Sequence, residues 1–236
     1  MLDLVIGMSI TQLVLFSIVL NILFYGVSIG LYLTFNRCKK GEYIQEIKQE
    51  ITRRDLILSF VVLLCNAAVF VLGVGLHKYG YIHVLEGSSI TVIALQTLGL
   101  VIGMDFLMYV FHRLAHIPVF YPLAHLRHHE HNSVNAISLF VLHPLEAIGF
   151  GMLFILLLCI YPFDTFSIGL YLLINLIWGT IGHIDKDVFK NTYFERWTRD
   201  ILCLTLFHNI HHQDPNCNYG FYTLLWDKLF KTYRKV

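Results

Sequence analysis

Charge is scarce in this chain. Asp, Glu, Lys and Arg account for 14% of its 236 residues, against about 25% in an ordinary soluble domain. Apolar and aromatic residues account for 56%, and the mean hydropathy is +0.64. These figures disfavour a soluble globular domain, a disordered chain, a fibrous repeat and a basic nucleic-acid binder. They favour one membrane-embedded domain. Cysteine is scarce too: there are five, an odd number, and no two form a C-x-x-C pair. A disulfide framework and a thiolate zinc site are therefore disfavoured. Cys65 and Cys159 fall inside apolar runs and read as small buried hydrophobes. A G-x-G-x-x-G nucleotide loop and a C-x-x-C-H haem attachment are also missing, as are internal repeats and low-complexity linkers. What is abundant is histidine, with thirteen copies against sixteen Asp plus Glu. Histidine is expensive in lipid and is the commonest metal ligand, so its placement decides the reading.

Residues 4–36 carry no charge, more than the roughly 20 residues needed to cross a bilayer. The run is too long for a signal-peptide core and lacks a positive flank before it, so it reads as a retained span. Residues 56–76 form a second uncharged run, and residues 90–111 a third, broken only by Asp105. Residues 147–163 and 165–182 form a pair at the short end of the spanning range, either crossing as a tight hairpin or entering without crossing. Basic residues set the orientation. With the first loop cytoplasmic, sixteen of the seventeen Lys and Arg fall on the cytoplasmic side, and the N-terminus is outside. Residues 39–55 place Tyr43, Ile44, Ile47 and Ile51 at helical spacing among mixed charges, which predicts an amphipathic helix on the cytoplasmic surface. The fold class is thus all-α: a polytopic membrane bundle of about four to five spans. A histidine-rich helical cap covers its cytoplasmic side.

Eleven of the thirteen histidines fall on that same side, although only Lys and Arg were used to assign it. His112 and His116 are an i,i+4 pair and share a helix face, which Asp105 and Tyr109 continue. His125, His128 and His129 follow the pattern H-x-x-H-H, and His208, His211 and His212 repeat it. So many buried imidazoles would lack partners in ordinary packing, at several kcal/mol for each unsatisfied group. They predict metal ligation, with His183 a ninth ligand where the chain re-emerges on this side. The number of rings exceeds what one ion accepts, so two ions are implied. Imidazoles suit iron, copper, nickel and zinc alike, so the spacing alone leaves the element open. Asp105, Glu130, Asp185, Asp214 and Asp227 are candidates to hold ring N–H groups. His143 is expected either as a ligand or beside the ligands or the substrate, His131 as a solvated neighbour, and His77 and His83 as interfacial polar residues.

These motifs resemble the fatty acid hydroxylase and sterol desaturase superfamily of integral membrane di-iron oxygenases. Asp105-x-x-x-Tyr109-x-x-His112-Arg113-x-x-His116 looks like that family's first box, and His125-x-x-His128-His129 like its second. His143-Pro144-x-Glu146 and Gly182-His183 resemble elements that follow. His208-x-x-His211-His212, with Asn218-Tyr219-Gly220, Trp226-Asp227 and Leu229-Phe230-x-Thr232-Tyr233, looks like the third box and tail. Departures are Ile184-Asp185 after His183, and Lys231 where the family more often has glycine. The resemblance covers about residues 104–233. It implies two iron ions on the nine histidines, with Asp105, Tyr109, His143, Asp185, Asn218 and Asp227 supporting them or the substrate. O2 would be the co-substrate, the metal pair itself would do the chemistry without a separate protein base, and zinc could replace iron on purification. The implied reaction is hydroxylation, desaturation or ether cleavage at a C–H bond of a lipid. Electrons would come from a cytochrome b5-like or ferredoxin-like donor; Arg113, Arg127, Arg196 and Arg199 would either steer an acidic partner or serve as positive-inside anchors. The implied division is residues 1–89 as N-terminal spans with their amphipathic loop and residues 90–236 as the hydroxylase-like catalytic region, forming one integrated domain. The membrane is a bacterial inner membrane or the endoplasmic reticulum.

Rival classes fit less well. A membrane zinc hydrolase wants H-E-x-x-H, whereas His129-Glu130-His131 has the wrong spacing. A metal transporter would place its ligands near the midplane of the spans, and a bis-imidazole haem carrier wants His pairs on separate spans rather than triplets.

Overall fold

The computed structural model describes residues 2–37, 43–44, 50–131 and 133–235. Capping chemistry sets where its helices begin. Ser9 N–H donates to Gln12 Oε1 at 2.9 Å, and Gln12 N–H donates back to Ser9 Oγ at 3.3 Å. This reciprocal cap splits the first apolar run into a short α1 (Leu2–Ile6) and a long α2 (Ile10–Arg37). Composition alone predicts one uninterrupted span there. Thr52 and Asp55 form the same kind of box at the start of α3 (Arg53–Lys78).

The surface helix expected over residues 39–55 does not form at the described positions before α3. Tyr43 bridges Lys186 in antiparallel fashion, and Ile44 N–H donates to the Asp185 carbonyl at 2.9 Å. The Lys186 ammonium lies 4.6 Å from the Tyr43 ring centre, a cation–π contact that ties this loop to a distant segment. Residues 50–52 are not helical, with Thr52 extended as the cap of α3, and residues 38–42 and 45–49 lie outside the described residues.

A two-residue strand β1 (Val84–Leu85) precedes α4 (Ile90–Ala115), which Ser89 caps. A π turn over Tyr121–His125 leads into α5 (Leu126–His129). Pro144 then opens α6 (Pro144–Ile160), where its missing N–H costs nothing. After β2 (Phe163–Asp164) comes α7 (Thr165–Gly182), followed by the short α8 (Tyr193–Thr198), α9 (Thr205–Gln213) and α10 (Leu225–Leu229). Helices α2, α3, α4 and α7 are long and apolar enough to cross a membrane, and α6 is a shorter apolar helix.

The tip of the α6–α7 hairpin is held at the end of the bundle where α3 meets α4. Val84 pairs in parallel with Phe163. Asp164 caps α7 and accepts the Ser88 N–H at 3.0 Å. Gln96 Oε1 accepts the Asp164 N–H at 2.7 Å and the Ser167 hydroxyl at 3.0 Å. Both hairpin helices, about 26 Å long at 1.5 Å per residue, therefore run from this end to the other. Leu100, Met104 and Met108 of α4 pack with Ile155 and Leu158 of α6 and Tyr171 of α7. Gly149 permits the approach of α6 to α4, since a Cβ there would run into the Phe111 ring.

Outward faces stay apolar: Leu15, Leu23, Phe60 and Leu95 are all exposed, as lipid-facing residues are. Cys159, expected to be buried, is exposed, and Cys65 is half-buried. A thiol is apolar enough to face lipid without a partner. At the end opposite the hairpin tip, the segments after α4 and α7 fold over the bundle as a cap.

Candidate metal centre

Nine histidines meet in that cap. His112 lies in the last turn of α4 and His116 caps it. His125 closes the π turn, while His128 and His129 lie on α5. His183 caps the C-terminus of α7, and His208, His211 and His212 lie on α9. All are buried except His116 and His208, which are half-buried.

The rings divide into two groups in which one ligand atom per residue lies within 4.8 Å of every other. His112, His116, His125, His129 and His211 form one group; His128, His183, His208 and His212 form the second. Each H-x-x-H-H triplet is therefore split. The i,i+4 pair His125 and His129 turns to the first group and His128 to the second. His208 and His212 turn to the second and His211 to the first. The π turn supplies a wider local turn before α5, and α9 packs against α7.

The protons on these rings decide whether they fit a metal. Burial pushes His129 down to about 3 and His183 to about 4, and drives His125, His128, His208, His211 and His212 well below the ordinary imidazole value; for the cluster rings neighbouring imidazoles add to the effect. Neutral rings carry one N–H each. His112 Nδ1 donates to the Tyr219 carbonyl at 2.9 Å, and His125 Nδ1 donates to Glu146 Oε1 at 2.6 Å. Their Nε2 atoms are then bare lone pairs, yet they face each other at 2.9 Å. His211 Nδ1 donates to the Cys217 carbonyl at 2.6 Å and His183 Nδ1 to the Gly179 carbonyl at 2.8 Å. The His183 lone pair lies 3.3 Å from Nε2 of both His128 and His208. Converging lone pairs repel unless a cation stands among them. The residues fit two metal ions held by imidazole nitrogen alone, a donor set that several first-row metals accept.

The supporting residues differ from the sequence expectation. Glu146, buried at the start of α6, is the carboxylate that grips a cluster ring; its place in His143-Pro144-x-Glu146 was the available signal. Asp105 and Asp227 hold no ring. Asp105 accepts the backbone N–H of Tyr222 at 2.8 Å and of Thr223 at 3.2 Å, together with the Thr223 hydroxyl and the Trp226 indole. Asp227 accepts the N–H of Tyr219 at 2.9 Å and of Gly220 at 2.6 Å. The two carboxylates thus pin the C-terminal strap, whose Tyr219 and Cys217 carbonyls in turn hold His112 and His211. Gly220 is required there, since a Cβ would stand 2.7 Å from Asp227 Oδ2. Asn218 adopts a left-handed backbone with φ 61° and accepts the Arg234 N–H at 2.8 Å, and Tyr109 hydrogen-bonds Thr232 at 3.0 Å. Both secure the same strap.

Other candidates lie elsewhere. His143 caps α6 through Nδ1 rather than joining the cluster. Asp185 is buried and hydrogen-bonded to Tyr32, and Asp214 pairs with Arg234 at 2.8 Å. Glu130 and Asp55 both pair with Arg127, so Arg127 is locked rather than free to steer a partner. His131 is fully buried, not solvated: its Nδ1 lies 2.8 Å from Ser138 Oγ and its Nε2 3.2 Å from Asp55. Asp55 reaches it from α3, a contact that spacing along the chain does not reveal.

A cavity of about 660 Å³ opens from the cluster into the bundle, within the roughly 300–1,000 Å³ of small-molecule sites. His112 and His125 of the first group and His128, His183 and His208 of the second border it, and Phe16, Val69, Phe150 and Leu172 are among its apolar walls. It continues to Leu2, Val5 and His77 at the far end.

Comparison with known proteins gives the same family. The chain is 27% identical over 166 residues to a Delta(7)-sterol 5(6)-desaturase of Eremothecium gossypii, covering 68% of this chain and 45% of that protein. It is 25% identical over 193 residues to one of Candida albicans, covering 80% and 47%. It is 30% identical over 132 residues to one of Aspergillus fumigatus, covering 56% and 35%. The chain thus spans less than half the length of these curated relatives. No solved structure matches. The sequence model of the fatty acid hydroxylase family matches residues 97–232, the stretch that carries all nine converging histidines and the strap that braces them. The chain belongs to the fatty acid hydroxylase family.

Proposed function

We propose that the nine histidines hold two iron ions and that the protein is an O2-dependent oxidoreductase. It would hydroxylate or desaturate a C–H bond of a sterol, a fatty acyl chain or a related lipid. One observation carries this reading: rings of both groups border the same apolar cavity, so a lipid lying in it presents a carbon to both ions at once. The activity named for the relatives, desaturation of a sterol, is the same kind of C–H oxidation. Bound iron supplies the activation of O2.

The chain does the rest. Glu146 and the Tyr219, Cys217 and Gly179 carbonyls keep a proton on Nδ1 of His125, His112, His211 and His183, which leaves Nε2 of each free to ligate. The aromatic and aliphatic walls exclude water and orient the lipid. The electrons come from outside, from a cytochrome b5-like or ferredoxin-like donor docking on the histidine-rich end. Arg113, Arg196 and Arg199 are exposed and would attract an acidic partner there. That end faces the cytoplasm of a bacterial inner membrane or of the endoplasmic reticulum. Residues 90–236 supply the reacting region, and residues 1–89 close the cavity from the side.

Metal analysis of protein purified without oxygen tests the proposal, with about two irons per chain expected on the imidazole count. One zinc per iron-resupplied chain, with no iron-dependent O2 consumption, would overturn it. Lipid analysis of cells with and without the protein then identifies the substrate.

A further inference from the structure

Three asparagines border the apolar cavity: Asn21 on α2, Asn66 on α3 and Asn175 on α7. They lie at one level. Helices α2 and α3 are antiparallel, with Phe16 against Phe70 at one point and Tyr25 hydrogen-bonded to Ser59 at another; Asn21 and Asn66 fall between, within about one helical turn of each other. Helices α2 and α7 are parallel and meet at Ser28 and Thr180, 2.8 Å apart. Stepping back from that contact brings Asn21 and Asn175 within about 3 Å of rise. Asn175 precedes His183 by eight residues, about 12 Å along a helix.

Their hydrogen bonding is half-used. Asn21 Nδ2 donates to the Ser17 carbonyl at 2.8 Å, which leaves its oxygen as an acceptor. Asn175 Oδ1 accepts the Tyr222 hydroxyl at 2.7 Å, with the Tyr171 hydroxyl 3.3 Å from that of Tyr222. The bond fixes the amide and leaves its N–H groups as donors. Asn66 makes no hydrogen bond to any described residue. Unpaired amides at membrane depth are costly and are kept where something binds them. Among the described residues no Lys or Arg lines the cavity, so a carboxylate or phosphate would meet no countercharge from them there. A hydroxyl, which both donates and accepts, matches what is left open.

We propose that Asn21, Asn66 and Asn175 form a binding station for the hydroxyl of a neutral lipid alcohol, about 12 Å along the cavity from the histidines. The carbon presented to the metal site is then remote from that hydroxyl. A sterol held with its hydroxyl at this station would offer its side chain, not its 5(6) bond, to the histidines. The proposal rests on the lipid-oxidase reading above.

The test uses the full-length protein in lipid nanodiscs and radiolabelled 1-hexadecanol, hexadecane and palmitate at pH 7. The wild type should bind 1-hexadecanol about tenfold tighter than hexadecane, the yield of one or two hydrogen bonds, and tighter than palmitate. Asn66→Leu and Asn175→Leu keep the volume and suit a lipid setting; each should reduce the alcohol preference to near unity and leave hexadecane binding unchanged. Equal binding of alcohol and alkane to the wild type, or an undiminished preference in both variants, would overturn the proposal. Iron content is measured on the same samples. Iron-free protein that still prefers the alcohol sinks the oxidase reading and leaves the station standing; iron-loaded protein without the preference sinks the station alone.

Discussion

Replacing Glu146 with glutamine keeps the shape of the side chain and removes the negative charge that a cation held by His125 would favour there. Glu146 is 1% exposed, and its Oε1 lies 2.6 Å from Nδ1 of His125. A hydrogen bond to a buried charge contributes about 1.5–3 kcal/mol, and one between neutral groups about 0.5–1.5 kcal/mol. Glutamine can still accept the ring N–H, so the loss is on the order of 1–1.5 kcal/mol at the bond itself, or about tenfold in metal affinity. Reduced basicity of the ring extends this towards the 10- to 100-fold range seen for residues that hold metal ligands.

The effect is confined, because His125 belongs to the five-histidine group and not to the four-histidine group. Metal retained against increasing chelator, measured by elemental analysis, should fall in a single phase or in two close phases for the wild type. For Glu146→Gln, one ion should leave at about 10- to 100-fold lower chelator concentration while the other stays. Loss of both ions in parallel, or retention of both at wild-type chelator levels, would refute the reasoning that ties Glu146 to one group through His125.

Three further expectations concern stability. Burial holds His183 near 4 and His129 near 3, below the ordinary value of 6.5. The unfolded chain therefore takes up these protons first as pH falls, so the stability of metal-free protein is complete above about pH 6.5 and declines from there towards pH 4. The slope is on the order of 1.4 kcal/mol per pH unit for each such ring; a melting temperature that stays flat from pH 7 to pH 5 contradicts this. Lys231 adopts φ 58°, a backbone that costs a side-chain-bearing residue roughly 1–2 kcal/mol. Lys231→Gly should raise the melting temperature by roughly 2–4 °C, and an unchanged or lower value argues against strain there. His131→Ala removes the contacts to Ser138 and Asp55 and should cost about 1–3 kcal/mol in denaturant titration while both metals remain bound. Wild-type stability, or loss of metal, contradicts the reading of His131 as a brace between α3 and the segment after α5.

The apolar runs were legible because a bilayer imposes a length and a polarity on any segment that crosses it. The break at Ser9 is not legible, since uncharged Ser and Gln do not interrupt a hydropathy run even when they cap a helix. At the described positions Tyr43 and Ile44, the surface helix expected over residues 39–55 gives way for a related reason. Helical spacing at Tyr43 and Ile44 is a weak local preference, and tertiary contact with Asp185 and Lys186 overrides it. His131 read as solvated because its neighbours in the chain are polar; the acid that buries with it comes from α3. Asp105 and Asp227 are expected from the sequence to hold ring N–H groups, but their partners are backbone amides and side chains of the strap, which no spacing rule connects to them.

The sequence by itself determined that the chain is a membrane bundle and that nine histidines gather at one end of it. Hydropathy and helical spacing are local properties, and both are written along the chain. Only the tertiary structure decided how the rings divide into five and four, which acceptors fix their tautomers, and that rings of both groups open on one cavity. Those outcomes depend on the π turn before α5, on the docking of α9 against α7, and on a C-terminal strap laid back over α4. Each brings together groups far apart in sequence, and their distances are set by packing rather than by residue number.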